Sequence, residues 1–276
     1  MATFNDFNQF NENKRDMYVL KLINKIITYL LTTHFFIACI AVALALETSI
    51  VLNQPFQPLP LYFLLFSSTH FAYNIYYIKT AQAKRFGLHA FISIIASGVL
   101  LFFIPTYTYP TLLLIGFTST IYILPIFIRV NQNNRFTIIK LVLLIVTWVL
   151  TTWVLAASPI QFQFKDLVYL CYRIVFISIS CLLFFIRDEK VESLKRKATQ
   201  FNKFLIGFQL ILSIIILFKV SLPIGIVYFI TSIGCYYLAC IWTKQARTHL
   251  QYLAYVDGIL FIQASILIIL FYFNTL

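Results

Sequence analysis

Nine runs of mainly apolar residues, each long enough to cross a bilayer as a helix, constrain this chain more than any other feature. They lie at 26–51, 59–77, 88–104, 110–128, 137–157, 167–186, 203–220, 223–242 and 254–273. A spanning helix needs roughly 20 such residues, because the hydrocarbon layer is about 30 Å thick. The runs are continuous and do not alternate every second residue, which disfavours a transmembrane barrel. Composition closes the other routes. The chain is 61% apolar and 11% charged, where a soluble domain runs near half apolar and about a quarter charged. One core cannot hide that much apolar surface behind a polar skin. A soluble enzyme, a disordered tail and a disulfide-stapled secreted domain are therefore excluded. The expected fold is all-α: a polytopic bundle of nine transmembrane helices over residues 17–276, preceded by a polar, Asn-rich arm over 1–16. Asp6, Glu12 and Asp16 in the first twenty residues speak against a cleavable signal peptide.

Short connectors separate the runs. Asn53 to Pro58 and Pro105 to Pro110 are proline-bounded turns. Tyr107 and Tyr109 in the second suit a headgroup interface. Ser158-Pro159 opens the loop before the sixth run. The narrowest break is Lys219 to Pro223. It is required, because one helix over 203–242 would be about 60 Å long, twice the hydrocarbon thickness.

Charge then orients the bundle. The chain carries 21 Lys plus Arg against 9 Asp plus Glu, a net charge of +12. On a soluble protein that excess would suggest nucleic acid; here it sorts by loop. The segment before the first run and the loops after the second, fourth, sixth and eighth runs, with Lys140 and Lys203 in the first turn of the runs that follow, hold 18 of the 21 basic residues. Only Lys165, Arg173 and Lys219 fall elsewhere. Basic residues collect in cytoplasmic loops, so the N-terminus is expected in the cytoplasm and the C-terminus outside. No nucleic-acid partner is expected.

Polar groups at membrane depth are costly and usually face a protein interior. Asn74, near the end of the second run, reads either as a site residue or as an interhelical amide. Arg173 is placed to snorkel outward, and Glu47 to reach the headgroups. Asp257 opens the ninth run, where an acid favours a helix N-terminus. Cys39, Cys171, Cys181, Cys235 and Cys240 form no CxxC pair and read as small buried apolar side chains. His34, His70, His89 and His249 show no metal-ligand spacing. No phosphate-cradling glycine loop or GxSxG nucleophile signature is present.

The most informative segment follows the sixth run. Asp188 and Glu192 are four residues apart, so on one helix they share a face. Two carboxylates there could hold magnesium, a hard cation that takes oxygen ligands and bridges to phosphates. Basic neighbours could hold a diphosphate. The plainer alternative is a solvated loop of mixed charge.

The spacing of Asp188, Glu192, Arg196 and Thr199 resembles the second acidic motif of the UbiA family of intramembrane prenyltransferases, which reads Asp, three residues, Asp, three residues, Gly, two residues, Thr. Its place after the sixth of nine helices is also similar. The family's first motif begins Asn-Asp at the end of helix two. Here Asn74 is followed by Ile75, and Ile78 and Gln82 stand where further aspartates belong. Asn134-Arg135-Phe136-Thr137 is similar to the family's Lys-Arg-x-Thr stretch. The resemblance implies a nine-helix UbiA-like bundle in a bacterial inner membrane. It implies transfer of a polyprenyl group from its diphosphate to an acceptor, with magnesium as cofactor. By the same resemblance Asp188 and Glu192 would bind metal, with Asn74 as a residual ligand. Arg135, Lys195 and Arg196 would contact diphosphate. No Asp or Glu lies between residues 48 and 165, so the first acidic cluster has no local replacement. Weakened or lost activity is therefore expected, and a non-catalytic isoprenoid-binding or scaffold protein is the alternative. A small-solute transporter comes third, since no inverted repeat is visible.

Overall fold

The computed structural model describes residues 21–76, 83–127, 134–157, 163–189, 191–241 and 248–273. The arm at 1–16, and Ile78 and Gln82 in the first motif, lie outside the described residues. Each of the nine apolar runs is helical where described, and the described residues contain no strand. The helices are α1 (Lys21–Thr32) and α2 (Phe35–Val51), α3 (Leu59–Tyr76), α4 (Ala83–Leu100), α5 (Tyr109–Phe127), α6 (Asn134–Val149), α7 (Phe164–Asp188), α8 (Glu192–Lys219), α9 (Leu222–Cys240), α10 (His249–Tyr252) and α11 (Gly258–Tyr272). Two π-helical segments, Leu150–Val154 and Leu253–Asp257, extend α6 and join α10 to α11.

Among the described residues, five helical segments are long and apolar enough to cross a membrane, or six if the bent pair α1 and α2 is one span. The protein is thus a multi-pass integral membrane protein, all-α in its described part. The count covers the described residues alone: Ser67, Ser68, Thr69, His70 and Asn74 dilute α3, and the side chains of α5 and α6 are described only over 109–123 and 138–149. In α3, Ser67, His70 and Asn74 are turned inward and buried.

The first run is not one helix. α1 and α2 meet at 72°. His34 takes a left-handed backbone, φ 59°, and the two threonines before it bond back into α1. Thr32 Oγ1 donates to the Thr28 carbonyl (2.7 Å) and Thr33 Oγ1 to that of Tyr29 (2.8 Å). Such back-bonding competes with the helix ladder and bends helices. At its other end α2 stops in a Schellman motif. Asn53 sits at φ 52°, its N–H donates to the Ile50 carbonyl (3.0 Å), and that of Gln54 donates to Ser49 (2.9 Å).

Helix packing closes a ring. α2 packs on α3 and α11, α3 on α5, α5 on α6, α6 on α7, α7 on α8, α8 on α9, and α9 on α11. α4 lies outside against α3. It is held by Ser67–Ser97 (2.9 Å) and His70 Nδ1–Ser93 Oγ (2.7 Å), the hydroxyl pairing that joins helices where water is absent. Large side chains such as Phe102, Leu113 and Phe218 face outward, as a lipid solvent requires and water would not tolerate. The tight turn between α8 and α9 confirms the break at Lys219–Pro223. Gly225 lies so close to Leu217 that a Cβ there would collide with the Leu217 backbone, so only glycine fits the crossing.

The connectors sort by end. Gln57 Nε2 donates to the Ala156 carbonyl (3.1 Å) and Tyr107 Oη to Gln57 Oε1 (2.9 Å). The turns after the first, third and fifth runs therefore meet at one end of the bundle. Alternating helix directions demand this.

Candidate functional site

Two adjoining cavities run through the middle of the ring. The inner one, about 130 Å³, is lined by α3, α5 and α6, with Ser68, Thr69, Ser119, Thr147 and Thr151 among its walls. The second, about 160 Å³, lies towards the junction of α7 and α8 and is lined by His34, Phe184, Arg187, Asp188 and Asp257 among others. Both share Tyr73, Tyr122, Leu144 and Trp148, so these four form the wall between them. Trp148 Nε1 donates to Tyr73 Oη (3.1 Å) and fixes two of the four. A water needs roughly 10–15 Å³ on this measure, so each cavity holds on the order of ten water-sized groups.

The polar end of the second cavity is built on the last turn of α7. Arg187 grips Asp188 with both arms of its fork, Nε to Oδ1 at 2.6 Å and Nη2 to Oδ2 at 2.7 Å. Its guanidinium also lies 5.1 Å from the ring centres of Phe184 and Tyr252. Phe184 is one turn earlier on α7 and Tyr252 ends α10, so a planar cation clamps the two elements together.

α7 then ends because Glu189 turns extended and its Oε1 takes the Val191 N–H at 2.8 Å. Glu192 opens α8, where its charge suits the helix N-terminus. Asp188 and Glu192 therefore do not share a helical face; they end one helix and begin the next. Glu192 is exposed. Lys195 is half-buried and Arg196 exposed, and neither lines the cavity. Arg135 falls in the first turn of α6, with its side chain outside the described part.

Asn74 is fully buried, but it does not line the cavity. Its Nδ2 donates to the Thr33 carbonyl (3.1 Å) in the α1–α2 break and to that of His70 (2.8 Å). The interhelical-amide alternative is what this geometry provides. The donors that the resemblance assigns to magnesium are thus not assembled. Asp188 is taken up by Arg187, Glu192 points elsewhere, and Asn74 stands off the cavity with its Nδ2 engaged and its Oδ1 without a partner. Among the described residues no three His, Cys, Asp or Glu side chains gather as a metal site.

Three charged residues stand differently from expectation. Glu47 and Arg173 do not reach the headgroups; they are 0% and 1% exposed and form an ion pair at 3.0 Å. Tyr228 Oη (2.8 Å) and Gln263 Nε2 (2.9 Å) donate to Glu47 Oε1. Gln209 Nε2 donates to Tyr172 Oη (3.1 Å), and the Tyr172 and Tyr228 rings stack at 4.0 Å. Asp257 does not open a helix. It closes the π-helical segment, inside a continuous helical stretch, with 4% exposure. The wider π turn adds a residue to one turn and rotates the face beyond it, which directs Asp257 to the cavity that Asp188 also lines. No family model matches the chain, nor does any curated protein or solved structure.

Proposed function

We propose that this protein binds an isoprenoid or similarly shaped lipid inside a UbiA-like bundle. In this reading nine helices cross a bacterial inner membrane, with the N-terminus cytoplasmic and the C-terminus outside. The observation that carries it is the pair of adjoining cavities within the ring, apolar along their walls and charged at one end. A long apolar chain with one polar end matches that gradient, because apolar contacts supply the area and a few placed polar groups fix the orientation. The sorting of basic residues supports the orientation, and the meeting of Gln57, Tyr107 and Ala156 at one end supports the alternation.

Prenyl transfer is the second reading. It is favoured by Asp188 of the acidic motif lining the cavity beside Asp257. It is tested by incubating membranes with a polyprenyl diphosphate and magnesium, where release of diphosphate above an Asp188→Asn variant supports transfer. Lipid binding is tested by mass spectrometry of lipids retained through purification. Enrichment of an isoprenoid over bulk phospholipid is expected, and its loss in Ala72→Phe, which fills the inner cavity. Retention of bulk lipid alone, unaltered by that substitution, would overturn the reading. Labelling of single cysteines at Phe56 and Ser193, both exposed, in a cysteine-free background tests the topology; both labelling from one side of sealed membranes would end the nine-helix model.

A further inference from the structure

We propose that Asp257 is the anchor for the head of the cavity's ligand, and that this head is a hydrogen-bond donor, a hydroxyl or an amine, in place of a diphosphate. This rests on the reading of the cavity as a lipid site and names the chemistry of the polar end.

A carboxylate taken out of water ordinarily finds a cation or several donors, because an uncompensated buried charge is expensive. Asp257 has neither. Its residue is 4% exposed, and among the described residues its carboxylate makes no hydrogen bond and no ion pair. It borders open space: the cavity reaches it. Such a group is satisfied by what enters that space.

The free carboxylate selects the entrant. Arg187 is the one Lys or Arg among the described lining residues; Asp188 holds its Nε and Nη2 and two rings hold its faces, while its Nη1 has no hydrogen-bond partner. A diphosphate offers acceptors alone and would leave the Asp257 carboxylate without a donor. A hydroxyl or ammonium would meet a free acceptor, with the aromatic faces of Tyr73, Tyr122 and Trp148 at hand to favour a cation. The placement of the carboxylate depends on the π-helical segment Leu253–Asp257. Such segments are uncommon and concentrate at functional sites.

The test uses the purified full-length protein in nanodiscs and four probes of equal chain length: geranylgeranylamine, geranylgeraniol, geranylgeranyl diphosphate with and without magnesium, and the saturated hydrocarbon. The parent is expected to bind amine and alcohol more tightly than diphosphate. Asp257→Leu should weaken both at least tenfold and leave the hydrocarbon unchanged, which reports an intact cavity. Asp257→Asn, equal in shape, should weaken the amine tenfold and the alcohol less, since the amide still accepts. If Asp257→Leu also loses the hydrocarbon, the Asn variant decides by its amine-to-alcohol ratio. Equal affinities in parent and both variants would overturn the anchor while leaving the lipid site standing, as would a parent that prefers diphosphate. A parent that binds none of the four, hydrocarbon included, would remove the lipid site itself and the anchor with it.

Discussion

Among the described residues an arginine meets a carboxylate in two clusters, and they are built to opposite ends. At Glu47–Arg173 the charges balance and both residues are sealed from solvent. Side chains from five helices converge there: Glu47 from α2, Tyr172 and Arg173 from α7, Gln209 from α8, Tyr228 from α9 and Gln263 from α11. At Arg187–Asp188 the pair sits on the rim of a cavity, with Asp188 64% exposed and a second carboxylate, Asp257, left over. The first arrangement leaves no room for a ligand and ties the ring together. The second leaves both room and an unspent acceptor. An ionisable residue inside a membrane bundle is thus not of one kind. What separates structure from site is whether its charge is already paired within the chain.

The largest effect should come from breaking the closed cluster. Glu47→Leu leaves Arg173 charged, buried and alone, which costs about 3–5 kcal/mol for pairs of this sort. We expect a variant that barely accumulates in the folded state. Glu47→Leu with Arg173→Met should recover most of the loss, since well-packed apolar residues often replace a buried pair without penalty. Thermal unfolding in detergent reads both. A single variant as stable as the parent would show that the pair does not organise the ring.

A smaller loss is expected at Asn74, which belongs to neither cluster but positions the bend that carries His34 to the cavity wall. Asn74→Ala removes donors from the Thr33 and His70 carbonyls. Leaving a buried acceptor unsatisfied costs about 1–3 kcal/mol. Hydrogen exchange should rise at 30–36 and stay unchanged in α7. Equal protection throughout would mean that the bend holds itself.

The nine runs, their connectors and the break before Pro223 were legible in the sequence because they follow from local apolarity and local chain stiffness. The pairing of Glu47 with Arg173 was not, because hydropathy along a run says nothing of which face a charge occupies or what meets it from another helix. The shared face of Asp188 and Glu192 was inferred from spacing that assumes a continuous helix. Glu189 ends that helix through its own side chain, a competition spacing cannot reveal. The apolar run that begins at residue 254 points to a helix start at Asp257. The helical stretch begins earlier, at His249, and its π-helical segment carries no glycine or proline to announce it.

The open cluster predicts the opposite sign from the closed one. Asp257→Asn in the absence of ligand should stabilise the protein, on the order of 1 kcal/mol, because an amide escapes part of the cost of a buried, unpartnered carboxylate. The contrast with Glu47→Leu, measured by the same unfolding assay, is the sharpest test of the distinction between the clusters. A destabilised Asp257→Asn would mean that the carboxylate has a structural partner after all.

The smallest effect belongs to the rim. Arg187→Lys keeps the positive charge but loses the two-armed grip on Asp188 and the flat contact with Phe184 and Tyr252. Because Asp188 is largely exposed, water and salt screen the pair, and exposed pairs contribute roughly 0–1 kcal/mol. The loss should therefore stay under about 1 kcal/mol, and high salt should narrow the difference between variant and parent. The stacking on Phe184 and Tyr252 is less sensitive to salt, so a residue of the difference should persist. That residue measures the clamp between α7 and α10. If high salt removes the whole difference, the rings contribute nothing and the clamp is electrostatic alone. A loss as large as that of Glu47→Leu would erase the difference between rim and core, and the two clusters would have to be read as one structural system.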